Sequence, residues 1–224
     1  MNEAEAKAWL TRELDVSRET MADLERFIAF LRQEATKQNL VSANTLNDIW
    51  ARHIADSAQL LALLPDGQPC DWLDLGSGAG FPGLIIAMLS NHRVTMVESR
   101  ARRADYLQRA IILFGLEQKV EVAAMDLDKL ESQEFAVISA RAFAPLPRLL
   151  DGASRFSTEN TRWLLPKGKN AVKELESVQY IWSHDLRLVA SVTDPDSGIL
   201  TGTVRGRLYE KHQIQARPTK GKIG

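Results

Sequence analysis

One run constrains this chain more than any other segment: Leu73-Asp74-Leu75-Gly76-Ser77-Gly78-Ala79-Gly80-Phe81-Pro82-Gly83. An apolar strand pattern leads into it, and an apolar helix pattern begins near Leu84. Glycine at such a junction allows dihedrals that a Cβ forbids and leaves bare backbone that a ligand can approach closely. The bland alternative is a tight strand-to-helix turn with no ligand, which needs fewer glycines than Gly76, Gly78, Gly80 and Gly83 provide.

Two ligand classes compete for the loop. Gly78 to Gly83 formally satisfies G-x-G-x-x-G, the dinucleotide fingerprint. Against that, Asp74 stands two residues before the first glycine and would repel a pyrophosphate, and Pro82 disturbs a helix start shaped for one. A carboxylate at Asp74 suits a ligand with an amino group and a sulfonium, and S-adenosylmethionine has both. Glu98 ends the next strand, where it can accept from both hydroxyls of an adenosine ribose in either cofactor. The third strand ends at Met125-Asp126-Leu127-Asp128, an apolar and acidic turn suited to adenine, with Asp128 or the equally placed Asp126 accepting from the exocyclic amine.

The rest of the chain predicts an α/β fold. Trp9, Leu14, Met21, Leu24, Phe27, Ile28 and Leu31 return to one helix face. A third helix is expected from Thr45, capped by Asn44 or Thr45, with Leu46, Ile49, Trp50, Ile54, Leu61 and Leu64 as its buried stripe and Pro65-Asp66-Gly67 as its end. Beyond Gly67 the texture changes to short apolar runs separated by helical patterns, the mark of a parallel sheet with crossover helices. Strands are expected at Asp71 to Leu75, Val94 to Glu98, Val120 to Met125, Ala136 to Ser139 and Trp163 to Leu165. Arg187 to Val192 and Arg207 to His212 are expected to form an antiparallel edge pair. Residues 1–66 would then be a helical cap and residues 67–224 the nucleotide-binding domain, together one unit.

Composition narrows the setting. The chain has 224 residues, 45% hydrophobic and 25% charged, with a formal net charge of -1, ordinary values for a globular protein. The one cysteine, Cys70, has no intramolecular disulfide partner, and the acidic start Met1-Asn2-Glu3 is unlike a signal peptide, so a reducing cytoplasm is expected. The apolar stretch from Phe81 to Leu89 is about half the roughly 18 residues of a membrane helix. Basic residues cluster at Arg100, Arg102, Arg103 and Arg109, again at Arg141, Arg148, Arg155, Arg162, Lys167 and Lys169, and in a tail with Arg205, Arg207, Lys211, Arg217, Lys220 and Lys222. These are solvated faces or nucleic-acid contacts. His53, His92, His184 and His212 are scattered, so no metal set can be drawn.

The glycine loop, Asn39-Leu40, Arg52-His53-Ile54 with Asp56-Ser57, and Ser139-Ala140-Arg141-Ala142-Phe143-Ala144 together resemble one family, from about Asn39 to about Lys169. It is the bacterial small-subunit ribosomal RNA guanosine-N7 methyltransferase family, also called glucose-inhibited division protein B. The resemblance implies a class I methyltransferase: a doubly wound, mostly parallel seven-stranded sheet of Rossmann-like type with an N-terminal helical cap. It also implies methyl transfer from S-adenosylmethionine to N7 of one guanosine in 16S ribosomal RNA, with the small subunit or an assembly intermediate as partner. The family's cofactor contacts fall on Gly76, Phe81, Leu127, Asp128 and Arg141.

Guanine N7 carries a free lone pair, so the transfer needs placement and no general base. The chain also lacks an Asn-Pro-Pro-Tyr-type motif after the fourth strand, where amino-group methyltransferases usually place one. On this reading Arg141 positions either the methionine carboxylate or guanine O6. Phe143 either stacks on the flipped base or sits in the core under the crossover helix. Asn39, Arg52, His53, Lys167 and Lys169 are candidate RNA contacts, and a monomer without metal is expected. The competing functions are a methyltransferase for a small metabolite and a dinucleotide-binding protein, although the second leaves no room after the sheet for a substrate domain.

Overall fold

The N-terminal helices start at side-chain caps that the sequence supplies. In helix α1 (Glu3–Leu14), Asn2 and Glu5 cap each other's backbone N–H groups. Ser17 caps α2 (Arg18–Ala35) by accepting from the Thr20 N–H. The stripe Leu24, Phe27, Ile28 and Leu31 is buried as its spacing predicts. The structure is a computed structural model that describes residues 1–64 and 68–208. The expected helix end Pro65-Asp66-Gly67, His212, and the tail residues Lys211, Arg217, Lys220 and Lys222 lie outside the described residues.

The expected third helix starts earlier and is not continuous. Ser42, rather than Asn44 or Thr45, caps α3 (Ala43–Asn47). The helix breaks at Asp48 (φ -109°), resumes as a π-helical turn at Trp50–Ala55, and runs into α4 (Asp56–Ala58). A π turn fits an extra residue into a turn and rotates the facing of the residues after it. Ile49, Trp50 and Ile54 remain in the core, as expected, and His53 is buried with them.

From β1 (Asp71–Leu75) the chain alternates strand and helix: α5 (Gly83–Leu89), β2 (Arg93–Val97), α6 (Ala101–Leu113), β3 (Val120–Ala123), β4 (Val137–Ala140), α7 (Leu146–Ala153), β5 (Arg162–Lys167) and α8 (Ala171–Glu176). Strands β6 (Trp182–His184), β7 (Arg187–Ala190), β8 (Gly198–Gly202) and β9 (Val204–Arg207) complete the order. The main sheet has seven strands in the order β3-β2-β1-β4-β5-β8-β7; the first five are parallel, and β8 and β7 add antiparallel. Its two faces carry separate cores. Trp72, Met96 and Leu164 pack with α1, α2, α5 and α6, whereas Leu73, Leu75, Ile138 and Trp163 pack with α7 and Trp182. This is a doubly wound sheet, and its strand order reverses between β1 and β4, where such sheets open a crevice at their carboxyl ends.

The edge differs from expectation. Strand β7 pairs with β8, a strand not anticipated, and β9 pairs with β6 in a separate two-stranded sheet. Of the expected pair 187–192 with 207–212, the first strand is therefore paired with β8 and Arg207 with Trp182, while residues 209–212 lie outside the described residues. The run Gly198-Ile199-Leu200-Thr201-Gly202 comes after Asp194-Pro195-Asp196-Ser197, so turn chemistry hides a strand whose residues are all buried. Cap and sheet are also joined by charge: Glu34 on α2 is only 3% exposed and pairs with Arg109 on α6 at 2.6 Å and Lys37 at 2.7 Å.

Candidate active site

The glycine loop is held from below by Asp74. In the parallel register Asp74 sits beside Ser139 on β4, and Ser139 Oγ donates to Asp74 Oδ1 at 2.7 Å while accepting from Trp72 Nε1 at 2.8 Å. The Gly83 N–H donates to Asp74 Oδ2 at 3.2 Å, and a Cβ on Gly83 would lie 2.8 Å from that oxygen, so only glycine lets the backbone come so close. Asp74 is fully buried, and burial raises its pKa. Both carboxyl oxygens thus bond to the protein, and the geometry gives Asp74 the task of fixing the loop from behind rather than fronting the cleft.

Above it, Gly76, Gly78 and Gly80 take φ values of +69°, +55° and +94°. Glu98, 5% exposed, accepts from the Gly78 N–H at 3.0 Å and the Arg100 N–H at 2.9 Å. A carboxylate has about four lone-pair sites, so each oxygen keeps one for a further donor. Phe143 lies directly on the loop, for a Cβ on Gly76 would meet Phe143 Cδ2 at 2.5 Å. Ala142 takes a left-handed φ of +52° just before it, strain of the kind that gathers at functional sites. Phe143 is 39% exposed, which rules out the core alternative for its ring.

Arg141 joins cap to sheet. Its Nη1 donates to the Arg52 carbonyl at 3.0 Å and to Asp56 Oδ2 at 3.2 Å, and its Nη2 donates to His53 Nδ1 at 2.7 Å. Arginine has no acceptor, so His53 Nδ1 must accept and the ring proton resides on Nε2. Burial, then the Arg141 and Arg52 charges, lower the His53 pKa to about 3, and the ring is neutral at physiological pH. His53 stacks on Phe81 with centroids 4.7 Å apart, and the Arg141 guanidinium lies 5.2 Å from the same ring. Asp56 Oδ1 accepts from Gln59 and from Thr193, which binds the 191–197 loop to the same cluster.

Beside Phe143 opens a cleft of about 860 Å³ over the ends of β4 and β5, lined by Arg52, His53, Arg141, Lys167 and Glu174 among others. The candidate RNA cations stand differently around it. Arg52 donates to Asp194 at 2.8 Å, and Lys169, 81% exposed, lies 3.4 Å from Asp196. Lys167 is no surface cation: its side chain is 10% exposed and pairs with Glu174 at 2.8 Å. Asn39 lies away from this group, where its carbonyl accepts from Arg103 beside Gly78. Leu127 and Asp128 occupy a short helical turn beyond β3, with Leu127 packed on the core and Asp128 exposed. Sequence reasoning missed Glu174, Gln59, Thr193 and Asp194; the first lies in a plain helical run, Gln59 reaches Asp56 from the next turn, and Thr193 and Asp194 meet the cap only through long-range folding. Among the described residues no group of three or more His, Cys, Asp or Glu is placed to hold a metal, and no helix is long and apolar enough to cross a membrane.

A doubly wound sheet with a glycine-rich loop at its switch point, a buried acid just past β2 and a cleft over the ends of β4 and β5 is the arrangement of a class I methyltransferase. Solved structures share the fold: a mutant of MtNAS in complex with S-adenosylmethionine (TM-score 0.57, 17% identity, covering 92% of this chain and 84% of that one) and ribosomal protein L11 methylase from Lactobacillus delbrueckii subsp. bulgaricus (0.54, 12%, 67% and 77%). The family rRNA small subunit methyltransferase G matches residues 20–195. Proteins named ribosomal RNA small subunit methyltransferase G are 50% identical in Sphingopyxis alaskensis, over 96% of this chain and 91% of that protein, and 46% identical in Zymomonas mobilis subsp. mobilis, over 98% and 100%. The chain belongs to the rRNA small subunit methyltransferase G family: it is an enzyme that uses S-adenosylmethionine, and the small-metabolite and dinucleotide alternatives fall away.

Proposed function

We propose that this protein, acting as a cytoplasmic monomer, methylates N7 of one guanosine in 16S ribosomal RNA, presented as free rRNA or in a small-subunit intermediate. The observation that carries the reading is the meeting of the glycine loop and the acceptor cleft at one contact, Phe143 on Gly76. When bound, S-adenosylmethionine supplies an electrophilic methyl on its sulfonium. Of the loop glycines, Gly78 leaves room beside its backbone, whereas Gly76 and Gly80 admit the close approach of Phe143 and Leu84; Glu98 would offer its remaining lone pairs to two ribose hydroxyls, and Leu127 with Asp128 would flank the adenine. Arg141 uses three of its five N–H groups on Arg52, Asp56 and His53, which leaves two for a carboxylate or guanine O6. Phe143 offers an exposed ring face for stacking on the flipped base.

Among the described residues the cleft holds no histidine free to abstract a proton at neutral pH: His53 is neutral, but its Nδ1 lone pair is occupied by Arg141. That suits N7, which has a lone pair and no proton to lose. Placement in line is then the protein's main contribution, worth several kcal/mol. Labelled S-adenosylmethionine and small subunits from cells lacking the enzyme test this: label should appear in 16S rRNA at one guanosine cleavable by N7-methylguanosine chemistry. Label at an amino group or in small molecules would refute it.

A further inference from the structure

We propose that Lys167 and Glu174 read the target base, Glu174 accepting from the guanine N1–H or 2-amino group and Lys167 donating to O6. This rests on the guanosine reading above and assigns the discrimination to a pair that no surface-charge argument reaches. Lys167 is the last residue of β5, and Glu174 lies on α8; both line the cleft. Glu174 Oε2 accepts from Lys167 Nζ and from the Leu146 N–H at the start of α7, both at 2.8 Å. The carboxylate is therefore oriented by backbone as well as by charge, and Oε1 has no hydrogen-bond partner among the described residues. Lys167 keeps two further N–H donors after its bond to Glu174.

The pair thus presents a fixed acceptor next to a fixed donor in a cleft wall, with side-chain exposures of 26% and 10%. A largely buried ion pair is a poor way to stabilise a fold, since apolar residues of similar volume do as well or better. It is a good way to recognise an edge with the opposite pattern. Guanine presents N1–H and the 2-amino group as donors beside the O6 acceptor. Adenine in the same pose would turn its 6-amino group toward the Lys167 ammonium and its N1 lone pair toward the Glu174 carboxylate, two repulsive contacts in place of two bonds. Sites built on such bonds reject the wrong partner strongly, by about 100-fold or more. Contact at this edge also leaves N7, on the five-membered ring, free to face the glycine loop.

The test uses the full-length protein and small subunits reconstituted with the target guanosine or with 2,6-diaminopurine at that site, a base that keeps N7 and the 2-amino group but carries an amine at position 6 and a bare N1. The wild-type enzyme should prefer guanosine by about 100-fold in kcat/KM. Glu174→Gln and Lys167→Met should each lower kcat/KM for guanosine by about 10-fold to 100-fold and shrink the preference toward unity, while calorimetric affinity for S-adenosylmethionine stays at the wild-type value. A structural or phosphate-contact role would reduce both substrates equally and keep the preference, which overturns the proposal. Equal use of the two bases by the wild type overturns it without any variant, even if both variants fail to fold. Failure of the wild type to methylate guanosine N7 at all would instead sink the functional reading.

Discussion

Ser139→Ala is the sharpest perturbation of the loop support. Ser139 Oγ both accepts from the Trp72 indole and donates to Asp74, and all three residues are fully buried. Alanine removes both bonds and admits no replacement from solvent. An unpaired buried donor costs about 1–3 kcal/mol, and leaving Asp74 Oδ1 without its donor costs a similar amount, so the loss should be about 4 kcal/mol. Urea or guanidinium denaturation at pH 7 measures it through the midpoint at unchanged slope. The same substitution in a Trp72→Phe background should be about 1–3 kcal/mol less costly, because the orphaned indole donor is then absent. A loss below about 1 kcal/mol in the wild-type background, or equal losses in both backgrounds, would refute the relay from Trp72 through Ser139 to Asp74.

The geometry sets four further outcomes. Arg141→Lys cannot reach the Arg52 carbonyl, Asp56 and His53 together, so methylation kcat/KM should fall by about 100-fold; retention of the wild-type rate in a methyl-transfer assay would count against the clasp. The His53 pKa, lowered to about 3 in the fold, means the unfolded chain binds the extra proton first as pH falls from 6.5, so stability drops with acidity; His53→Phe should lose about 2 kcal/mol less between pH 6.5 and 4.5 than the wild type, by denaturation at both values. The Glu34 pKa, lowered to about 2 mainly by hydrogen bonds from Arg109 and then Lys37, works on carboxylate titration: its contribution is full above about pH 4.5 and lost as pH falls through 2, so Glu34→Gln should destabilise at pH 7 and by only about a quarter as much at pH 2.5. Releasing Arg52 and Lys169 with Asp194→Ala and Asp196→Ala should tighten rRNA binding and steepen its logarithmic salt dependence by about 1.5; an unchanged slope in filter binding would show that neither cation meets phosphate.

The parallel half of the fold is legible in the sequence because its signals are local. Alternating apolar strands and crossover helices need only neighbouring residues, and the loop at Gly76 to Gly83 announces a ligand by what its backbone must do. The edge is not legible because Gly198 to Gly202 carries glycines and comes after a turn sequence; only pairing with β5 and β7 makes it a strand. Asp74 stands out in the sequence as an acid in an apolar strand, but its charge alone points to a ligand, and only the register that sets Ser139 beside it reveals the true neighbour. Arg141 and His53 are each conspicuous, yet their union depends on a π turn, which no periodicity reveals. Lys167 reads as a surface cation because its partner Glu174 lies on the next helix, a pairing that only the packed β5–α8 unit creates.

The clasp around Arg141 also imposes an order in time. Its parts come from residues 52 to 59, from Arg141 itself, and from Thr193 and Asp194, and strand β8, which flanks the cleft, is made later still. A chain synthesised from its N-terminus therefore makes its glycine loop well before the last parts of the cleft wall. Until Gly198 is free to pair, the cleft lacks the side that the 191–197 loop and β8 supply, although Arg141, Lys167 and Glu174 have already been made.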